Sequence, residues 1–142
     1  MKILPSPTCP VATFSLTSRI ICSTLESSTT TSKEDEKKII EYINSNEKDN
    51  YENIIKENLN DSVMLGLSNI RNNLVYAYDF EPDSTVLEIG AHLGEITGAL
   101  CEKCAKVISV EPNEARARAI LKRYSDKDNL DIVVTEISKI KL

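Results

Sequence analysis

Apolar residues recur along this chain with two different periods, and the change of period divides it. From Lys33 to about residue 80 they fall at helical spacing. Ile39, Ile40 and Ile43 form one stripe, Ile54 and Ile55 a second, and Met64, Leu65, Leu67, Ile70, Leu74 and Val75 a third. This predicts helices beginning after Ser32, over Tyr51–Glu57 and over Ser62–Tyr76, with Asn60-Asp61 as a turn. Ser32 is placed to cap the first helix, and Glu34, Asp35 and Glu36 sit at the positive end of its dipole. Beyond the turn Glu81-Pro82-Asp83-Ser84, short apolar runs alternate with helical segments: Thr85–Ile89, Glu95–Lys103, Val107–Val110, Asn113–Tyr124 and Asp131–Val134. A strand-helix-strand-helix-strand order predicts a parallel sheet with helical crossovers.

Residues 1–32 follow neither period. They are dense in Ser and Thr, contain Pro5, Pro7 and Pro10, and have Glu26 as their sole acid. Val11, Phe14, Leu16, Ile20 and Ile21 leave room for a short docked strand, but the composition reads as a flexible segment. A faint similarity to an organellar transit peptide rests on the same composition. The expected organisation is therefore a flexible 1–32, a helical lead-in over 33–80, and an α/β unit over 81–142.

Composition narrows the chemistry. The chain has 142 residues, 17 Lys and Arg against 22 Asp and Glu, and a net charge of −5. An acidic chain has no general attraction for phosphate backbones. No apolar run is long enough for a membrane-spanning helix, and no export signal is evident, so a cytoplasmic location is expected. One histidine excludes a two-His metal site. A nucleophile triad would have to use His92, which has no partner evident in sequence. Cys101 and Cys104 form a CxxC near the end of a helix, where the dipole does not lower a thiol pKa, and Cys9 and Cys22 do not form a second pair. No metal site is expected.

The informative segment is VLEIGAHLGEITGAL, residues 86–100: a strand, a glycine-containing turn and a helix. Gly90 permits a sharp turn and close approach of a ligand to the backbone, and Gly94 opens the helix, whose free N–H groups face the same crevice. The next strand ends at Glu111, about 20 residues on, the offset at which an acid accepts from ribose hydroxyls. A dinucleotide site would want glycine where His92 stands. It would also set a pyrophosphate beside Glu88, where like charges repel. An adenosine ligand ending in a cationic amino acid fits better than a dinucleotide, and an NAD-type site remains the weaker option.

VLEIGAHLGEITGAL followed by VISVEPN resembles the first two motifs of class I S-adenosylmethionine-dependent methyltransferases, with wording close to the ribosomal RNA adenine dimethyltransferase branch. SNIRNNLVYAYDF is similar to bacterial methyltransferases found with glycosyltransferases. The resemblance spans about residues 68–140. It implies a Rossmann-like sheet, of which this chain carries the first three strands, and S-adenosylmethionine as cofactor. It further implies that Glu88 orders the turn and reaches the methionine ammonium, and that Gly90, Ala91, His92 and Gly94 line the methionine portion. Glu111 would hold the ribose hydroxyls, Pro112 and Ile137 would lie on the adenine ring, and Glu136 would accept from its amino group. His92 departs from the family's Gly-x-Gly-x-Gly.

The family's fold has seven strands, and its acceptor motif of Asn/Asp-Pro-Pro-aromatic type is absent from this chain. Roughly 60 residues remain for a fold that needs more. The expectation is thus a truncated methyltransferase, inactive alone, with its catalytic residues unassigned. Its acceptor, whether RNA, a small molecule or a glycan-related compound, is also unassigned. The alternative is a non-catalytic, degenerate methyltransferase-like module for binding or assembly. A sheet of three strands would also leave the edge at Val86, Leu87 and Ile89 open, predicting self-association there.

Overall fold

The computed structural model describes residues 2–5, 19–22, 31–45 and 50–140. In chain order the elements are β1 (Lys2–Pro5), β2 (Arg19–Cys22), α1 (Lys33–Ser45), α2 (Tyr51–Asn58), α3 (Asp61–Leu67), α4 (Asn72–Tyr76), β3 (Thr85–Ile89), α5 (Thr97–Lys103), β4 (Lys106–Val110), α6 (Glu114–Arg123) and β5 (Leu130–Val134), followed by a 3-10 turn at Ile137–Lys139. The expected β-α-β-α-β run is present, and the fold is α/β with a parallel sheet.

The sheet is wider than expected. Its order is β1-β5-β4-β3-β2, and every pairing is parallel. Lys2–Pro5 and Arg19–Cys22, which composition assigns to a flexible segment, are its two edge strands. The rest of that segment, including Val11, Phe14 and Leu16, lies outside the described residues. Because β2 pairs with β3 from Arg19↔Val86 to Cys22↔Ile89, the edge expected to drive self-association is already hydrogen-bonded, and that expectation is withdrawn. Edge strands escape a pattern reading because four residues are too few to reveal a period of two, and pairing partners supply the stabilisation that the segment lacks alone.

Each central strand buries both faces, as parallel strands do. Val86, Val107, Leu130 and Ile132 face α5 and α6 in the main core, with Ala99, Leu100, Ala117 and Ile120. Leu87, Ile89, Val110 and Val133 cluster on the opposite face. The lead-in forms a third cluster of Ile39, Ile43, Tyr51, Ile54, Val63 and Leu67, which closes over Leu93 of the glycine turn and Ala119 of α6. The lead-in therefore packs on the glycine turn.

Three helices are capped by side chains, at Ser32 and Asn113 as the sequence leads one to expect and at Asn60, which the sequence reading takes as part of a turn. Ser32 Oγ accepts from Asp35 N, Asn60 Oδ1 from Ser62 N and Val63 N, and Asn113 Oδ1 from Ala115 N and Arg116 N. Two boundaries differ. The expected Ser62–Tyr76 helix is two short helices, because Ser68 leaves helical geometry (ψ 164°) and its hydroxyl accepts from Ile70 N. The helix expected from Glu95 begins at Thr97, because Gly94 at φ 78° holds the preceding turn open.

Tyr124 locks that turn to α5. Its hydroxyl donates to Gly94 O at 2.6 Å, and its ring lies under two glycines. A Cβ on Gly98 would sit 2.6 Å from Tyr124 Cε1. The ring is pinned and buried, so it has no room to yield. Gly98→Ala, which in an open helix gains about 1 kcal/mol, is expected here to lose about 2 kcal/mol through overpacking. Urea unfolding checks the sign; a stabilised variant would show that Tyr124 moves freely.

Candidate functional site

The site is built at the carboxyl end of β3 and β4, where an open α/β sheet offers its crevice. Glu88 and Ser109 are register partners on adjacent strands, so their side chains emerge side by side on one face. Ser109 Oγ donates to Glu88 Oε2 at 2.6 Å, and Thr97 Oγ1, from the first residue of α5, donates to the same oxygen at 2.8 Å. Glu88 is fully buried, and its second oxygen, Oε1, has no hydrogen-bond partner. Burial pushes the carboxyl up to about 7, against the two hydroxyl bonds that favour ionisation. A buried acid with one oxygen unused is a place for a donor that the chain does not itself supply.

The turn follows directly on β3, which ends at Ile89. Gly90 N and Ala91 N both donate to Val110 O, fastening the turn to the end of β4. Gly90, His92 and Gly94 all take left-handed φ, at 72°, 51° and 78°. His92 thus adopts the glycine geometry at the cost of strain that a non-glycine residue carries there. Its placement is compensated twice: His92 N donates to Glu111 Oε2 at 2.9 Å, and its ring Nδ1 lies 2.8 Å from Glu95 Oε1. Burial raises the Glu95 carboxyl, but the His92 ring, a backbone N–H and the Arg71 charge together hold it below its ordinary value.

Glu111 is buried, with each oxygen taking one backbone N–H: Oε2 from His92 and Oε1 from Asn113. Arg116 Nη1 stands 3.7 Å from Oε1. The same guanidinium grips Glu36 of α1 through Nε and Nη2 at 2.9 and 2.7 Å, a bidentate pair that holds the Glu36 carboxyl below its usual range. A carboxylate has about four acceptor positions, so Glu111 keeps capacity for hydroxyl donors.

The structure gathers Glu88, Gly90, Ala91, His92, Gly94 and Glu111 at the carboxyl ends of β3 and β4, in three groups of hydrogen bonds: Glu88 with Ser109 and Thr97, the turn with Val110 O, and Glu111 with His92 N and Asn113 N. It leaves Pro112 exposed after β4, and Glu136 and Ile137 exposed after β5, with Glu136 3.4 Å from Lys139. Sequence reading missed Thr97, Ser109, Glu95, Arg116 and Glu36, because hydroxyls and acids on separate elements carry no mutual spacing. Cys101 and Cys104 are buried thiols, and burial pushes Cys101 up to about 12, which leaves it unreactive. Among the described residues no helix is long and apolar enough to cross a membrane.

Comparisons with known proteins bear on the fold and on sequence likeness. The chain is 34% identical over 67 residues to a probable ribosomal RNA small subunit methyltransferase A of Methanosarcina mazei, covering 47% of this chain and 25% of that protein. It is 28% identical over 74 residues to the ribosomal RNA small subunit methyltransferase A of Alkaliphilus metalliredigens, covering 52% of this chain and 26% of that protein. The chain thus spans about a quarter of the length of these relatives. The structure of Haemonchus contortus phosphoethanolamine N-methyltransferase 1, in complex with phosphoethanolamine and S-adenosylhomocysteine, superposes with a TM-score of 0.51 at 16% identity, over 79% of this chain and 24% of that one. This likeness shows a shared Rossmann-like α/β fold. No protein-family model matches the chain.

Proposed function

We propose that this chain, similar over about half its length to ribosomal RNA small subunit methyltransferase A, carries the S-adenosylmethionine-binding part of a methyltransferase within residues 81–142. The observation that carries the reading is Glu88. Its buried Oε1 has no hydrogen-bond partner, and the turn that follows β3 has three left-handed residues. That combination suits a ligand presenting an ammonium to a carboxylate and a close-packed chain to the backbone. It does not suit a pyrophosphate.

In this reading Glu88 receives the amino-acid ammonium, with Thr97 and Ser109 fixing its other oxygen. Gly90, Ala91, His92 and Gly94 line the methionine portion. Glu111, oriented by His92 N and Asn113 N, offers its remaining acceptor positions to the ribose hydroxyls. Exposed Pro112 and Ile137 are available to an adenine ring, and Glu136 to its amino group. The cofactor, when bound, supplies an electrophilic methyl on a sulfonium. The chain's part is to orient it and to exclude water from the Glu88 side. The acceptor is a matter for residues that none of these elements contributes. RNA is favoured by the names of the sequence relatives.

A second reading, a non-catalytic module of the same fold, is favoured by the burial of Glu111 and the N–H bonds on both its oxygens. Calorimetric titration with S-adenosylhomocysteine separates the two. Micromolar binding by the wild type, weakened about tenfold or more in Glu111→Ala by loss of charge-assisted bonds, supports the cofactor reading. No binding at millimolar ligand overturns it.

A further inference from the structure

Arg116, on the first turn of α6, is shared by two carboxylates that hold it unequally. Glu36, on the first turn of α1 and 80 residues away in sequence, takes Nε and Nη2 at 2.9 and 2.7 Å, one whole edge of the guanidinium fork. Glu111 Oε1 faces Nη1 at 3.7 Å, beyond hydrogen-bond range. Glu111 is buried and the other two side chains are mostly so, and salt screens charges in such a setting only weakly. Of the roughly four acceptor positions on the Glu111 carboxylate, His92 N and Asn113 N occupy two. The two that remain match the two hydroxyls of a ribose. A guanidinium drawn onto Glu111 would compete for them, and Nη1 needs to move only about 1 Å to come within hydrogen-bond range. The bidentate grip of Glu36 turns the fork toward the lead-in instead.

We infer that Glu36 is a positioning residue for the nucleoside site: by occupying the Arg116 fork it keeps the guanidinium off Glu111 and leaves that carboxylate open to ribose hydroxyls. The inference rests on the cofactor reading above. It adds to that reading a residue of the lead-in, outside residues 68–140 that carry the resemblance. The lead-in then serves the site as well as the core, because α1 delivers to α6 the charge that occupies Arg116.

Calorimetric titration of the full chain with S-adenosylhomocysteine tests this through a reversal that simple structural damage does not produce. Glu36→Gln keeps the side chain's size, removes its charge and leaves the buried Ile39 and Ile43 of α1 in place. It should bind about tenfold more weakly than wild type, the worth of one charge-assisted hydrogen bond. Arg116→Gln, although nearer to Glu111, should lose less. Glu36→Gln combined with Arg116→Gln should bind at least about threefold more tightly than Glu36→Gln alone, since no guanidinium is left to occupy Glu111. Glu36→Asp, whose shorter arm loosens the same grip, should show a smaller loss and the same recovery, so the test does not hang on one variant. The 2′,3′-dideoxy analogue of S-adenosylhomocysteine lacks the hydroxyls, and its affinity for Glu36→Gln should stay within about twofold of that for wild type. A double variant that binds no better than Glu36→Gln, an undiminished affinity in Glu36→Gln, or equal weakening of both ligands overturns the inference and leaves Glu111-dependent binding intact. Failure of the wild type to bind S-adenosylhomocysteine overturns the cofactor reading, and this inference with it.

Discussion

Replacing Arg123 by alanine is expected to cost the fold about 4 kcal/mol, a large share of the stability of a domain this size. Arg123 is buried near the end of α6 and faces no carboxylate in the bonds it makes. Its Nη1 donates to Gly66 O and Leu93 O, and its Nη2 to Leu67 O, at 2.8, 3.1 and 3.0 Å. The guanidinium carbon lies 5.5 Å from the ring centres of both Tyr51 and Tyr124. One side chain thus joins α2, the end of α3, the glycine turn and α6. Truncation would leave three buried carbonyls unpaired and open a gap between two rings. Lysine cannot replace it, because a single ammonium lacks the planar fork that reaches three carbonyls. Arg123→Lys should lose more than half as much as Arg123→Ala. Urea midpoints at unchanged slope would measure both losses, and the melting temperature of Arg123→Ala should drop by roughly 10 °C. Hydrogen exchange at the Gly94 amide, bonded to Ala91 O, should accelerate as the turn loosens. A loss under about 1 kcal/mol, the worth of one ordinary hydrogen bond, would show that the lead-in does not depend on this residue.

The second large effect is a dependence of stability on pH that runs against the usual acid denaturation. Glu88 titrates near 7 when folded, against an ordinary 4.5. Below about 4.5 both states are protonated and its contribution is fully present. Between 4.5 and 7 the unfolded chain has lost the proton and the folded chain keeps it, so stability falls as pH rises, and the fall levels off above 7. The shift corresponds to about 3 kcal/mol. Glu36 and Glu95, whose values are lowered, act with the opposite sign at lower pH. The diagnostic is therefore the difference between wild type and Glu88→Gln, an amide that stays neutral. Stability of Glu88→Gln relative to wild type should grow between pH 4.5 and 7. Parallel curves for the two proteins across that range would show that Glu88 is not held protonated.

Parts of this molecule are legible in the amino-acid sequence. The order of β3, α5, β4, α6 and β5 follows from apolar period and turn residues. The Asn113 cap follows from residue type, and the likeness to methyltransferases follows from Glu88, Gly90, Gly94 and Glu111 at their spacing. Each depends on residues within one element or across one turn, where chain geometry converts spacing directly into position. The apolar pattern misleads over Ser62–Tyr76, where a continuous stripe conceals a break. Ser68 and Asn69 offer local side-chain bonds that compete with the helix, and the stripe is indifferent to them.

What sequence alone determined, then, was the parallel α/β class, the helical lead-in and the location of the glycine turn, because period, caps and glycine spacing are local properties. The tertiary structure decided the rest. It recruited Lys2–Pro5 and Arg19–Cys22 as the sheet's edges, since a strand is completed by its neighbour and not by its own composition. It gave His92 a partner in Glu95 and coupled Glu36 through Arg116 to Glu111. It also made Arg123, an ordinary helical arginine in sequence, the joint between lead-in and turn. Its one sequence-level trace is a charge four residues after Ala119 on a buried face. Burial and long-range hydrogen bonds set these roles, and neither has a period along the chain.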